Sequence, residues 1–139
     1  MIPEPQPGPG PDLPSFVPVQ DRVAAQPPGR TALRAVDAVL DYAELNARAN
    51  QVAHRLGQGP AGGGPVGVCF ERTSDAVVAL LGVLRSGRAF LPLDARQPRP
   101  HLQELLACAG ASGLVSRDDL WEPGSRPDLP FLALDRERA

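Results

Sequence analysis

The chain contains no lysine; all 14 of its basic residues are arginine. A Schiff base, a lysine phosphate clamp and a catalytic ammonium are therefore excluded, because a guanidinium stays protonated and cannot substitute for an amine in those roles. Codon bias in a GC-rich genome accounts for the pattern without a functional reason. Aromatic residues are scarce, at 4%, so a core must rest on Leu, Val and Ala, which bury less area per residue. Positive charge is not in excess: the net charge is −2, which argues against nucleic acid or an anionic membrane surface as a partner. No apolar run approaches the length of a membrane span. The N-terminus lacks a basic segment followed by an apolar one, as a secretion signal would require. A cytoplasmic location is the expectation. The two cysteines, Cys69 and Cys108, form no C-x-x-C pair, and both sit in apolar runs, which reads as buried, reduced thiols. With two histidines in separate elements besides, the ligands are too few and too scattered for a metal site.

What is present is strongly organised. Residues 1–14 alternate proline with small or polar residues and read as a disordered or polyproline-like tail, since proline lacks an amide donor and glycine carries high chain entropy. From residue 15 a folded pattern begins. Phe16, Val17, Val19, Val23 and Ala24 suggest a short amphipathic helix around Pro18 to Gln26, stopped by Pro27-Pro28-Gly29. Thr31 to Val36 and Ala38 to Leu40 read as two strands of a hairpin around Asp37. A helix then begins at Asp41, whose carboxylate can accept the free amide of Glu44 while Glu44 reaches back. Its apolar residues Tyr42, Leu45, Ala49, Val52, Ala53 and Leu56 step by three and four, and Gly57 supplies the stop.

Gly57 to Gly67 is glycine-rich but follows a helix and precedes a strand. A phosphate-binding loop needs the opposite order and a G-x-x-x-x-G-K-[ST] pattern, so this is a plain connection. Pro65 to Phe70 reads as a buried strand. Thr73 is placed to cap the following helix and Asp75 to complement its positive end, with Val77, Leu80, Leu81 and Leu84 as the buried face up to Gly87. Ala89 to Leu93 is the next strand. Two strands joined by a helix form a βαβ unit, hence parallel neighbours. A helix from Pro100 to Ala109, a strand from Ser112 to Ser116, a polar loop from Asp118 to Pro130 containing Trp121, and a short strand from Phe131 to Leu134 complete the pattern.

Two stretches carry a resemblance. Leu40-Asp41-Tyr42-Ala43-Glu44-Leu45 resembles L-[ST]-Y-x-E-L, and Leu84-Arg85-Ser86-Gly87-Arg88-Ala89-Phe90-Leu91-Pro92-Leu93-Asp94 resembles L-K-A-G-x-A-Y-[LV]-P-[LI]-D. Both are core motifs of the amino-acid adenylation domains of nonribosomal peptide synthetases, within the adenylate-forming, AMP-binding superfamily. The Leu45-Asn46-Ala47-Arg48-Ala49-Asn50 run and the Val66 to Arg72 strand ending in Glu-Arg are similar to the same family. The resemblance implies an α/β fold: residues 15–139 as an incomplete N-terminal subdomain of such a ligase, with βαβ units and a mostly parallel sheet.

It also implies what to expect of function. In the family the phosphates are held by a later Ser/Thr/Gly-rich loop ending in Pro-Lys-Gly, the ribose by an aspartate further on, and the adenylate by a lysine of a C-terminal subdomain. None has a counterpart here, so no catalytic, cofactor-binding or metal-binding residue is assigned. ATP and magnesium belong to the complete domain, and the chain alone is expected to be inactive. The expected partners are the remainder of the adenylation domain, or a complementary chain supplying it, and through the complete domain a carrier protein.

MbtH-like helper proteins dock after the second motif in some members. There Ala95, Gln97 and His101 replace habitual residues, so that partner is only weakly implied. Arg72, Arg85 and Arg88 sit beside turns, where solvated surface or helix-end pairing is expected. His54 lies off its helix's apolar stripe and His101 begins a helix. Asp118-Asp119 reads as a turn or cap rather than a dyad. Two other readings stand beside this one: a non-enzymatic α/β module that binds a partner, and a piece of an acyl-CoA ligase. Helix faces shaped to pack on further elements lead to an expectation of partial order and aggregation in isolation.

Overall fold

In a computed structural model the described residues are 16–57 and 63–135. The tail assigned to 1–14, and positions 58–62 of the glycine-rich connection, lie outside them. The chain order is α1 (Val19–Ala24), β1 (Thr31–Arg34), β2 (Val39–Asp41), α2 (Tyr42–Gly57), β3 (Val66–Phe70), α3 (Ser74–Arg85), β4 (Phe90–Asp94), α4 (Arg99–Cys108), β5 (Gly113–Ser116), a 3-10 turn (Asp118–Leu120) and β6 (Phe131–Ala133). The expected α/β fold is confirmed, with somewhat shorter elements at both ends of the chain. β1 and β2 form an antiparallel hairpin. The other strands form a four-stranded parallel sheet in the order β4-β3-β5-β6.

That order dictates the layers. β3-α3-β4 steps one place in one direction, and β4-α4-β5 steps back across β3 in the other. Right-handed crossovers running in opposite directions put their helices on opposite faces, and two separate cores result. On one face Leu45, Ala49 and Val52 of α2 and Val78, Ala79 and Leu81 of α3 pack with Val66, Val68 and Phe70 of β3 and Val115 of β5. On the other, Leu102 and Leu106 of α4 pack with Cys69, Leu93, Leu114 and Trp121. β3 is buried along its whole length, which is why it reads as a continuous apolar run rather than an alternating one. Pro92 lies within β4, an edge strand, where a missing amide is tolerated.

α2 begins with half of the expected capping box: the Glu44 amide donates to Asp41 Oδ1 at 2.8 Å, but the Glu44 side chain does not reach back. α3 departs from expectation twice. Its fully buried apolar residues are Val78, Ala79, Leu81, Gly82 and Val83, whereas Val77, Leu80 and Leu84 are half-buried. A single stripe was the wrong template because α3 is gripped by α2 on one side and the sheet on the other. α3 lies tightly against α2 at Gly82, where an added Cβ would lie 2.4 Å from Val52 Cγ1.

The start of α3 also differs. Thr73 occupies the cap position without a capping side-chain bond. The cap comes instead from the hairpin tip: Asp37 Oδ1 accepts the Ser74 amide at 2.8 Å and Asp37 Oδ2 accepts the Ser74 hydroxyl at 2.6 Å. Gly87 and Gly110 close α3 and α4 at φ of 82° and 63°, conformations that other residues rarely adopt. Cys69 is buried as expected, but Cys108 is exposed, since it sits on the side of α4 away from the inward-facing Leu102 and Leu106.

Candidate functional site

In an open parallel sheet, ligands and catalytic loops gather at the carboxyl ends of the strands, where neighbouring connections leave for opposite faces. Here that position lies between β3 and β5. The chain after β3 enters α3 on one face, and the chain after β5 sends Trp121 into the core on the other. A cavity of about 340 Å³ opens there, lined by Glu71, Thr73, Arg117, Asp119 and Leu120. A second hollow of about 570 Å³ lies beside it over β3 and β4, lined by Phe70, Glu71, Arg72, Ala76, Asp94 and Arg96.

The charges of this rim are largely closed on one another. Arg117 donates to both Asp119 oxygens, at 3.0 and 2.8 Å, and reaches the buried Asp75 at 3.4 Å. The hydrogen-bonded Asp119 raises the Arg117 guanidinium above its ordinary value against an opposing desolvation, and the bond from Arg117 lowers the Asp119 carboxyl. Asp118 pairs with Arg126 at 3.3 Å. The amides of Asp118 and Asp119 donate to Asp135 at 3.0 and 3.4 Å. Arg96 forks onto Asp94, with Nε at 3.1 and 3.2 Å and Nη2 at 2.9 Å, and this hydrogen bonding holds the Asp94 carboxyl at about 2. Carboxylates held down in this way stay ionised near neutrality and cannot serve there as general acids.

Beneath the rim a polar relay pins the loops. Trp121 Nε1 donates to Ser116 Oγ at 3.0 Å, and Ser116 donates to the Cys69 carbonyl at 2.7 Å. The Arg99 guanidinium lies 5.1 Å from the Trp121 ring centre. It donates to the carbonyls of Leu120, Ala95 and Gln97 at 2.7, 2.8 and 3.2 Å. Arg99 thus closes the turn after β4, the stretch in which Ala95 and Gln97 depart from the family pattern. Burial pushes the Cys69 thiol up, so this side chain is packing rather than a nucleophile.

The residues singled out from sequence fall as follows. Arg72 lies exposed at the rim and Arg88 is half-buried and engaged. Arg85 overturns the expectation of solvated surface or helix-end pairing. It is half-buried between helices and donates to the Asn46 carbonyl at 3.1 Å, Asn50 Oδ1 at 3.0 Å, the Gln20 carbonyl at 3.3 Å, and Asn46 Oδ1. Burial lowers its guanidinium below the ordinary value, an effect the charge of Asp21 opposes only in part. His54 and His101 are exposed on different helices. Asp118 and Asp119 sit in the 3-10 turn, each held by its own arginine.

Sequence reasoning missed Asp37, Arg99, Arg117 and Ser116. A lone tryptophan in an otherwise polar loop was the one local hint that its neighbourhood is a core. Among the described residues no group of three or more His, Cys, Asp or Glu is placed to hold a metal ion. No helix among them is long and apolar enough to cross a membrane.

A parallel sheet with helices on both faces and its loops gathered at one edge defines a doubly wound α/β scaffold. The family model described as AMP-binding enzyme matches residues 20–135. Over 111 residues the chain is 42% identical to a linear gramicidin synthase of Brevibacillus parabrevis, covering 79% of this chain and 1% of that protein. It is 38% identical over 131 residues to a plipastatin synthase of Bacillus subtilis, covering 91% and 5%. It is 37% identical over 113 residues to phosphinothricin tripeptide synthetase PhsC of Streptomyces viridochromogenes, covering 81% and 10%. A crystal structure of the nonribosomal peptide synthetase FmoA3 in its alpha-methyl-L-serine-AMP bound form superposes with a TM-score of 0.74 at 31% identity, covering 86% of this chain and 14% of that one. The chain belongs to the AMP-binding enzyme family, and its sequence corresponds to the N-terminal part of a nonribosomal peptide synthetase adenylation domain. It spans a tenth or less of these curated relatives.

Proposed function

We propose that this chain supplies part of the scaffold of an adenylation domain whose chemistry is carried by the remainder of the domain. The complete domain would activate an amino-acid carboxylate with ATP and magnesium and load the product on the phosphopantetheine of a carrier protein, in the cytoplasm. Attack on the α-phosphate needs a phosphate cradle and a cation on the developing charge. The observation that carries the reading is the pairing at the rim: of the three arginines lining the two hollows, Arg72 lies exposed at the edge, and Arg117 and Arg96 are bound to Asp119 and Asp94. These residues hold loops in place, and no lysine is present to take the catalytic part.

The partner proposed is the rest of the domain. β6 pairs with β5 alone among the described strands. Beside it the apolar Val52, Val78, Leu132 and Leu134 and the polar Arg48, Gln51, Arg55 and Asp75 line a small hollow; the edge of β6 left unpaired by the described strands is the feature suited to a further strand. An MbtH-like helper has weaker support, since of the three altered positions Gln97 and His101 are exposed and Ala95 is buried. The test is ATP–pyrophosphate exchange by the purified chain with a panel of amino acids, alone and mixed with a polypeptide supplying the rest of the domain. No exchange alone and amino-acid-dependent exchange in the mixture is expected. Exchange by the chain alone would show that its own residues carry the chemistry.

A further inference from the structure

α1 is attached in an unusual way. It has six residues and none of them is fully buried, and a helix of that length does not persist unaided in water. Only Val23 among its residues packs, half-buried, against the core of α2 and α3. Apolar groups beside and within it point outward: Phe16 is 90% exposed and Val19 56%. Hydrophobic burial therefore contributes little to its seat.

Hydrogen bonds hold it instead, and they converge on three side chains. Arg85, at the end of α3, donates through one nitrogen to the Gln20 carbonyl of α1, at 3.3 Å, and to Asn46 Oδ1. Its other terminal nitrogen donates to the Asn46 carbonyl and to Asn50 Oδ1 of α2, at 3.1 and 3.0 Å. Asn46 Nδ2 in turn donates to the Val23 carbonyl of α1 at 3.2 Å. The Asn46 amide is thus fixed from both ends, and one planar guanidinium spans three helices. Arginine's forked donors allow this; a lysine ammonium could not reach the same four acceptors in one geometry. Just beyond α1 the chain is tied independently to the start of α2. The Ala43 amide donates to the Pro28 carbonyl and the Tyr42 amide to the Arg30 carbonyl, both at 3.0 Å. Pro27-Pro28-Gly29 lies at this second anchor.

We infer that α1 is a releasable strap, fastened to the α2–α3 pair by the polar clasp of Arg85, Asn46 and Asn50, and able to detach as a unit up to Pro28 while the parallel sheet stays folded. Local openings of this kind draw on segments with little buried apolar area. The clasp joins residues from both core motifs, Asn46 and Asn50 following the first and Arg85 within the second. Those positions therefore govern whether the strap lies down. Release would free the segment that carries Phe16 and Val17 and uncover the seat of Val23 on α2 and α3.

Native-state hydrogen exchange on the full 139-residue chain tests this, reading the Ala25 and Gln26 amides, which close α1, against amides of β3 and β5. In the unaltered chain α1 should exchange at least about tenfold faster than β3 and β5. Arg85→Ala should speed α1 by a further factor of about ten, since bonds to a charged donor are lost, and leave β3 and β5 unchanged. Arg85→Lys should fall between the two. Asn46→Ala, which removes the Val23 bond and one of the four Arg85 acceptors but leaves the Arg85 side chain in place, should match Arg85→Ala at α1. Equal protection of α1 and the sheet, whether both high or both absent, overturns the proposal. So does a loss of protection in β3 and β5 that accompanies α1 in the variants.

Discussion

Gly82→Ala is expected to destabilise the fold although it replaces glycine with the best helix former. In α3 the exchange gains about 1 kcal/mol of intrinsic helix propensity. Against this, the new Cβ would stand 2.4 Å from Val52 Cγ1, 2.5 Å from Val52 Cβ and 3.1 Å from the Ala49 carbonyl oxygen. Carbon atoms pack at about 3.5–4.0 Å, so roughly 1 Å of separation must be found. A rotamer change moves Val52 Cγ1 but not its Cβ, which is fixed to the backbone of α2. The two helices must part, loosening contacts along Leu45, Ala49, Val52 and the facing residues of α3. Overpacking of this kind costs about 1–3 kcal/mol, and a clash against a backbone-fixed carbon belongs at the upper end. The net expectation is a loss of about 1–2 kcal/mol after the propensity gain.

Urea unfolding followed by Trp121 fluorescence measures the effect, and the probe sits in the core on the opposite face of the sheet, so it reports global loss of structure. Gly57→Ala is the control. No atom lies within 4 Å of its added Cβ, so stability should change by no more than about 0.5 kcal/mol. A double variant with Val52→Ala should be less destabilised than the two single effects summed, by about 1 kcal/mol. Gly82→Ala at or above wild-type stability, with additive behaviour in the cycle, would refute the close approach of α2 and α3.

Ser116→Ala should cost about 1–3 kcal/mol, because it leaves both Trp121 Nε1 and the Cys69 carbonyl without their partner in a buried place; the same urea curves, with a shift in Trp121 emission, check it. Asp37→Ala should cost about 1–2 kcal/mol through loss of the α3 cap and the stranding of the buried Ser74 hydroxyl; Asp37→Asn should recover part of it. The Asp94 carboxyl should titrate at about 2 in a carbon-detected NMR pH series, and move back toward its usual 3.8 in Arg96→Gln. Because the folded value is the lower one, this pair favours the folded state above about pH 4, and that contribution disappears as the pH falls toward 2. A midpoint near 3.8 in the unaltered chain would contradict the forked Arg96–Asp94 geometry.

Features written in neighbouring residues were legible from the sequence. The stripe of Leu45, Ala49, Val52 and Leu56 with the Asp41 cap defined α2 nearly to the residue, and the unbroken run from Val66 to Phe70 marked a strand with no solvent face. Pro100 and Gly110 bracketed α4. The motif that ends α3 and opens β4, taken together with the one that opens α2, was enough to name the family. Features made by residues far apart in the chain were not legible. Thr73 has the right chemistry for a cap, but Asp37 from the hairpin takes the position. Arg85 has the look of a surface residue until Asn46 and Asn50 are brought beneath it. Periodicity misjudged α3 because a helix held on two sides has no single stripe. The carboxyl-edge site was readable as loops only: its cavities and ion pairs depend on the strand order β4-β3-β5-β6, which local patterns do not encode.

The bond from Asp37 to Ser74 has a consequence for the order in which the chain acquires structure. It joins residues 37 positions apart, so the first turn of α3 is secured only when the hairpin has already reached its place. Synthesis supplies the parts in that sequence, at about 5–20 residues per second and from the N-terminus: the hairpin leaves the ribosome first and awaits the helix it will start. A circular permutant that delivers the hairpin after α3 should reach the same final state more slowly, with α3 fraying at its first turn until the late arrival of Asp37.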